Sequence, residues 1–436
     1  MFRFEDGFYL GASTSAHQTE GDNTKCDYYL MENMEHTEFS EKSGKAVDHY
    51  NRYKEDILLL KEAGLNGYRF SIEWARIEPE EGVFDEKEIQ HYRDELTFMK
   101  ENGIEPFVTL MHFTSPVWLI KKGGWTGKDT PFYFQRYAKV VANRLGDLFS
   151  HVVTINEANM GVQVGAIAER YRKLMMQNSE KNVEGSVQVG MNFNSMLENM
   201  KAKGMENYAL FGTSDPKTFV SGRKEEEEDV VISSHIAARE AIKAERPDMK
   251  VGLSLSLHDI QAKDGGEEKA EEEWRKEFFI YLKAIEKDDF LGVQNYARSI
   301  IGPEGIMNPP LGASLTQMGY ENYPEALYNV LKRVDKDLKD RNLSIPLYVT
   351  ENGIATSNDE ERVLFIDKAL HGLKKAKDEG VDVRGYFHWS LLDNFEWQKG
   401  FSMTFGLIKV DRNTMERFPK PSLKYLGSFA PEKRMV

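Results

Sequence analysis

With 436 residues the chain has room for two or three average domains, or for one large α/β barrel with insertions. Its 40% hydrophobic content supports a sizeable core. A net charge of -14 and a pI near 5.4 argue against nucleic acid or an anionic membrane surface as partner, because their phosphates attract Lys and Arg.

The single cysteine, Cys26, excludes an intramolecular disulfide and a multi-thiolate metal site. The first residues hold no apolar signal core, and no run of about 18 apolar residues occurs. These features predict a soluble cytoplasmic protein. Self-association stays open, since nothing in the chain marks an interface.

Taken in order, short β-prone runs alternate with helical patterns. Strand 8–13 is followed by a helix over 50–60, strand 67–71 by a helix over 86–100, and strand 106–110 by a helix over 131–145. The fourth strand, 152–155, leads into residues 160–224, rich in Met, Asn and Lys and weakly periodic. This reads as an elaborated loop with short helices, forming part of a cleft wall. A helix over 230–245 then precedes strand 251–255, and a helix over 274–285 precedes strand 290–294. A helix over 323–341, strand 347–350, a helix over 362–379 and strand 383–389 complete the series. Eight strands alternating with helices predict a closed (β/α)8 TIM barrel. No Gly- or Pro-rich linker interrupts it, so residues 1–436 read as one domain. The acidic runs Glu225 to Asp229 and Glu271 to Glu273 read as solvated charge preceding or opening helices, not as a metal cage.

Two strand ends carry the chemistry. Leu347-Tyr348-Val349-Thr350-Glu351-Asn352-Gly353 runs from an apolar strand into a carboxylate and a turn, and Val152-Val153-Thr154-Ile155-Asn156-Glu157 repeats that grammar. Strand ends are where a parallel barrel keeps its catalytic residues. A pair of carboxyl groups converging on one cleft suits glycoside hydrolysis. A plainer origin exists: among 71 Asp and Glu residues, some end strands by chance. No phosphate loop, Gly-x-Ser-x-Gly elbow or His-Glu-x-x-His metal motif is present.

Longer stretches carry a resemblance. Phe8-Tyr9-Leu10-Gly11-Ala12-Ser13 through Glu20-Gly21, Tyr68-Arg69-Phe70-Ser71 through Ile77, Thr350-Glu351-Asn352-Gly353, His388-Trp389 through Trp397, and Phe405-Gly406-Leu407 through Lys420-Pro421-Ser422 follow one another in the order found in family 1 glycoside hydrolases. The chain resembles that retaining β-glucosidase-type family nearly end to end. The resemblance implies hydrolysis of terminal β-linked, glucose-like sugars by double displacement, with a small β-glycoside as substrate and neither cofactor nor metal.

By the same resemblance Glu351 is the nucleophile, with Arg69 close by holding its pKa down and Tyr296 donating a hydrogen bond to it. Glu157 is the acid/base, about 5–5.5 Å from Glu351 as retention requires. Asn156 contacts the 2-hydroxyl. Gln18 and Glu396 grip the hydroxyls farthest from the cleaved bond, His112 and Trp397 the 3-hydroxyl, and Trp389 forms an apolar floor. His112 also fits a plain structural role, and Trp389 plain barrel core.

Three departures stand out. Ala158 follows Glu157 where the family has Pro, which would restrict Glu157 to extended backbone, so a looser Glu157 and a lower rate are expected. The sixth strand ends Gln294-Asn295-Tyr296 rather than Asn-Tyr-Tyr, with Gln294 standing in the Asn place. Residues 160–224 match poorly, which leaves the leaving group undetermined. Glu396 should repel a sugar phosphate, and Lys399 is the one nearby cation, so a phospho-β-glycosidase is the runner-up. The same residues also admit transglycosylation, and a catalytically weak sugar-binding protein on a barrel, since fold alone does not grant activity.

Overall fold

The computed structural model describes residues 2–176, 190–191 and 200–432. Eight parallel strands close into a barrel: β1 (Tyr9–Ser13), β2 (Gly67–Ser71), β3 (Glu105–Met111), β4 (His151–Ile155), β5 (Lys250–Ser256), β6 (Phe290–Gln294), β7 (Leu347–Asn352) and β8 (Val383–Trp389). Each pairs with its sequence neighbours, and β1 closes the ring on β8, Tyr9 opposite Gly385 and Ser13 opposite Trp389. All residues of β2, β4 and β7 are buried, as expected for parallel strands covered on both faces.

The eight strands stand where the sequence places them. At β7 the strand continues two residues further, through Glu351 and Asn352, after a register shift past Val349 against both neighbours. Such an irregularity re-aims a side chain.

Helices α1 (His49–Glu62), α2 (Glu86–Glu101), α3 (Thr130–Leu145), α4 (Asp229–Glu245), α5 (Glu267–Glu277), α6 (Ala326–Lys339), α7 (Asp359–Asp378) and α8 (Pro421–Gly427) follow the strands in turn. The Asp85 carboxylate opens α2 by accepting from the Lys87 N–H at 2.9 Å. In α6, Leu327, Val330, Leu331, Val334 and Leu338 form one buried stripe at helical spacing, each worth about 1.5–3 kcal/mol of burial.

The helix predicted over 274–285 is corrected. Instead α5 starts at Glu267 and ends at Glu277, before Phe278, whose φ of -125° and ψ of -55° leave the helix, and a 3-10 turn (Phe279–Tyr281) and a short helix (Leu282–Ile285) follow. Trp274, Phe278, Tyr281, Ala284 and Ile285 are all buried, so their spacing imitates one continuous helix. Glu271 to Glu273 consequently lie inside α5 rather than before it, where Glu272 and Glu273 pair with Arg275 and Lys276.

A three-stranded sheet (Asp259–Ala262, Arg298–Gly302, Gly305–Ile306) and a hairpin (Ile408–Val410, Arg417–Pro419) lie outside the barrel. Within 160–224 the first helix, Met160–Met176, is longer than the short ones expected, and a second spans Met200–Phe211. The remainder of that predicted loop at 177–189 and 192–199 lies outside the described residues.

The main core fills the layer between strands and helices. A second cluster, Phe107, Val153, Phe290, Tyr348 and Phe387, crosses the barrel interior. Phe107 of β3 meets Phe387 of β8 at 4.6 Å between ring centroids, a contact between non-neighbouring strands that only the lumen permits. This packed floor leaves chemistry to the C-terminal rim.

Candidate active site

Every barrel strand sends a polar group to that rim. Arg69 lies on β2, Asn156 and Glu157 directly follow β4, Ser254 and Ser256 lie on β5, Gln294 ends β6, Glu351 lies on β7 and Trp389 ends β8. Gln18 comes from the short helix Ala16–Thr19 after β1, and His112 follows β3.

One Glu351 oxygen accepts from Arg69 Nη1, and the other accepts from the Tyr296 hydroxyl at 2.6 Å. Burial pushes the Glu351 carboxyl up, while Arg69 and Tyr296 pull it down and recover only part of the rise. Arg69 thus lies against Glu351 and holds its carboxyl down, as expected, while desolvation outweighs the ion pair. Burial and the adjacent Glu351 charge keep the Tyr296 hydroxyl protonated and able to donate.

Glu157 is pushed much higher, by burial first and then by the negative charge of Glu351. Of the two carboxyls, Glu157 therefore holds the proton. Its backbone is left-handed, at φ 45°. Three bonds hold it there: its N–H donates to Ser254 Oγ at 3.2 Å, the Ala158 N–H donates to the Ser254 carbonyl at 2.9 Å, and its own carbonyl accepts from Met160 N–H at 2.9 Å. The Glu157 side chain also bonds Ser256. At 158, where the resemblance would place Pro, Ala supplies one of these bonds through its N–H. Neither serine is marked by any motif; only strand register brings them under Glu157.

Asn156 is locked from several sides. Its Oδ1 accepts from Arg69 Nη2 at 2.5 Å and Gln294 Nε2 at 2.8 Å, and its Nδ2 donates to His112 Nε2 at 3.2 Å. Gln294 thus braces Asn156 and is absent from the described cavity lining. The Asn156 contact puts the His112 ring proton on Nδ1, which has no partner among the described residues. Burial, then the Arg69 charge, keeps that ring neutral. His112 stacks on Trp389 and Trp397, with centroids 5.6 Å and 6.0 Å away.

Gln18 lies behind Glu396, donating to the Phe395 carbonyl at 2.7 Å and to Glu396 at 3.3 Å. Burial and the Glu351 charge push Glu396 up to about 8, against hydrogen bonds from the Gly190 N–H and Gln18. Gly190 must be glycine, since a Cβ there would sit 2.7 Å from the Glu396 carbonyl oxygen.

His112, Asn156, Glu157, Tyr296, Glu351, Trp389, Glu396 and Trp397 line one inner cavity, together with Phe405, marked in the sequence only as the start of a resembling run, and Phe113, which no sequence signal singles out. Its volume is about 20 Å³, room for about one water. Glu157, Phe113 and Trp397 at this cavity all have positive φ, strain of the kind that gathers at functional sites. Among the described residues Glu35, His36 and Glu206 form a cluster able to hold a metal ion, outside this lining.

Known proteins share this frame. The sequence model of glycosyl hydrolase family 1 matches residues 2–207 and 289–435. The chain belongs to glycosyl hydrolase family 1. Beta-glucosidase A of Thermotoga maritima is 30% identical over 96% of this chain and 96% of its own length. A 6-phospho-beta-galactosidase of Clostridium acetobutylicum is 29% identical, over 100% of this chain and 98% of its own. A crystal structure of a beta-glycosidase superposes with a TM-score of 0.86 at 39% identity, covering 99% of both chains. As a member of family 1 the protein is an O-glycosyl hydrolase of β-glucosidase type, with a glycoside as substrate. Among the described residues no helix is long and apolar enough to cross a membrane.

Proposed function

We propose that this family 1 enzyme is a retaining β-glycosidase acting on a terminal glucose-like sugar, with residues 1–436 working as one catalytic unit and 160–224 as a wall of its cleft. The observation that carries the residue roles is the asymmetry of two carboxyls in one cavity. Glu351 is held by Arg69 and Tyr296, and Glu157 retains its proton. Ionised Glu351 attacks the anomeric carbon while Glu157 protonates the departing oxygen, leaving a glycosyl ester on Glu351. Forming the ester removes the Glu351 charge, so Glu157 becomes a stronger acid, stays ionised and accepts a proton from the water that cleaves the ester. Arg69, Gln294 and His112 hold Asn156 toward the 2-hydroxyl. The His112 Nδ1–H, Trp397 and Glu396 address the other hydroxyls over Trp389, with Gln18 behind Glu396. The lone buried thiol, Cys26, fits a cytoplasmic setting.

The phospho-β-glycosidase reading draws on the clostridial relative. Against it, Glu396 faces the cavity and no Lys or Arg is among the described residues lining it.

Nitrophenol release from a panel of nitrophenyl β-glycosides, 6-phosphorylated ones included, tests the proposal. Wild type should cleave a neutral sugar, and Glu351→Gln should be inactive. Glu157→Ala should lose about 10²–10⁴-fold, partly restored by azide, which attacks without a general base. Silence on every sugar would leave a sugar-binding barrel. Products formed with an added alcohol acceptor separate hydrolysis from transglycosylation.

A further inference from the structure

We propose that Ser256 is a positioning residue for the reaction: clamped on both sides, its hydroxyl aims the Glu157 carboxyl. The inference rests on the assignment of Glu157 as acid/base above and adds what holds that group through both steps. Strand β5 reads Leu253-Ser254-Leu255-Ser256, and successive side chains of a strand point to opposite faces. Leu253 and Leu255 join the main core, so Ser254 and Ser256 share the inner face. Ser254 holds the backbone at Glu157 and Ala158, and Ser256 bonds the Glu157 side chain. Ser256 is itself fully buried and absent from the described cavity lining. It therefore acts on a sugar only through Glu157.

The clamp is built by the chain that follows Glu157. β4 pairs with β5 as far as Val153 opposite Gly252; beyond that point the buried Asn159 amide serves the strand end. Its Oδ1 accepts from the Ser256 N–H at 2.9 Å, and its Nδ2 donates to the Ser256 carbonyl at 2.7 Å. One helical turn on, Gln163 Nε2 donates to the same carbonyl at 2.8 Å. A further Asn159 Nδ2 bond, to the Glu277 carbonyl at 3.0 Å, ties the clamp to α5. On its other side Ser256 pairs with Gln294 of β6.

Glu157 has to give a proton in the first step and take one in the second without turning away. A carboxylate only accepts, so the Ser256 hydroxyl donates to it whenever Glu157 is ionised. That bond favours the ionised form, against burial and the Glu351 charge. The charged and titratable groups facing Glu157 are Glu351 on β7, Arg69 on β2, Glu396 after β8, and the hydroxyls of Tyr296 and Tyr320. Replacing Ser256 removes none of them.

The test measures kcat/KM of wild type and Ser256→Ala on a phenyl β-glycoside and on the dinitrophenyl β-glycoside of the same sugar. Phenolate leaves poorly without a proton, whereas dinitrophenolate needs none. The phenyl-to-dinitrophenyl ratio should fall about tenfold in Ser256→Ala, a share of the roughly 10²–10⁴-fold that a general acid supplies. Loss of the bond to the ionised carboxylate should also move the alkaline limb on the phenyl glycoside up by about one pH unit. Ser256→Thr, which keeps the hydroxyl, should hold the wild-type ratio and limb. A serine that only fills space would slow both substrates alike. That result, an unchanged ratio or a limb that stays in place overturns the inference while leaving Glu157 as the acid. A Glu157→Ala enzyme with the wild-type ratio would instead take the acid role from Glu157, and this inference with it.

Discussion

Ala158 has a hydrogen-bonding duty that proline could not perform. Its N–H donates to the Ser254 carbonyl, and the preceding Glu157 sits at φ 45°, a conformation that a following Pro disfavours. Ala158→Pro should therefore lower kcat by tenfold or more. It should also cost about 1–3 kcal/mol, for the buried carbonyl left unpaired, read by denaturant unfolding. A faster and equally stable variant would revive the idea that Ala158 loosens the acid/base. The raised Glu157 also sets a pH profile. On the proposed roles activity needs Glu351 ionised and Glu157 protonated, so kcat/KM should rise with pH as Glu351 ionises and fall as Glu157 does. Glu157→Ala should lose the falling, alkaline limb; a limb that survives assigns the proton to another group. At this scale the two glutamates were legible because a strand-to-turn motif is local. Ser254 was not, since its role exists only opposite β4.

At the scale of elements, β7 and β8 meet closely where the site is built. A Cβ on Gly353 would lie 2.0 Å from the Trp389 carbonyl oxygen, so Gly353→Ala must part the strand ends that carry Glu351 and Trp389. We expect at least a tenfold loss in kcat/KM together with a lower Tm. Unchanged values would show that the close approach is dispensable. Strands were legible because each is a short apolar run closed by a turn signal. The misread α5 has the opposite cause: an apolar face continued through a 3-10 turn looks helical whatever the backbone does. The outer sheet escaped notice because its strands, of two to five residues, carry too few positions to show a period.

Across the whole molecule, a buried ion pair ties the two ends of the chain together. Arg417 donates to both oxygens of Asp56 at 2.8 and 3.0 Å and to the Val47 carbonyl at 2.8 Å, and His49 Nδ1 lies 2.7 Å from Asp56. Arg417→Met should destabilise by about 3–5 kcal/mol, because it strips a buried carboxylate of its main partner. Adding Asp56→Leu should recover part of that in urea unfolding. No recovery would mean that the arginine acts through packing alone. What the sequence alone determined was the closed barrel, the order of its strands and the two glutamates, because hydrophobic period and strand-end motifs are written over a few neighbouring residues. Tertiary structure alone decided that Ser254 clasps Glu157, that Gly190 reaches Glu396 and that Gln294 braces Asn156. Those contacts join segments tens to hundreds of residues apart, through strand register and close packing, and no local pattern of residues encodes them.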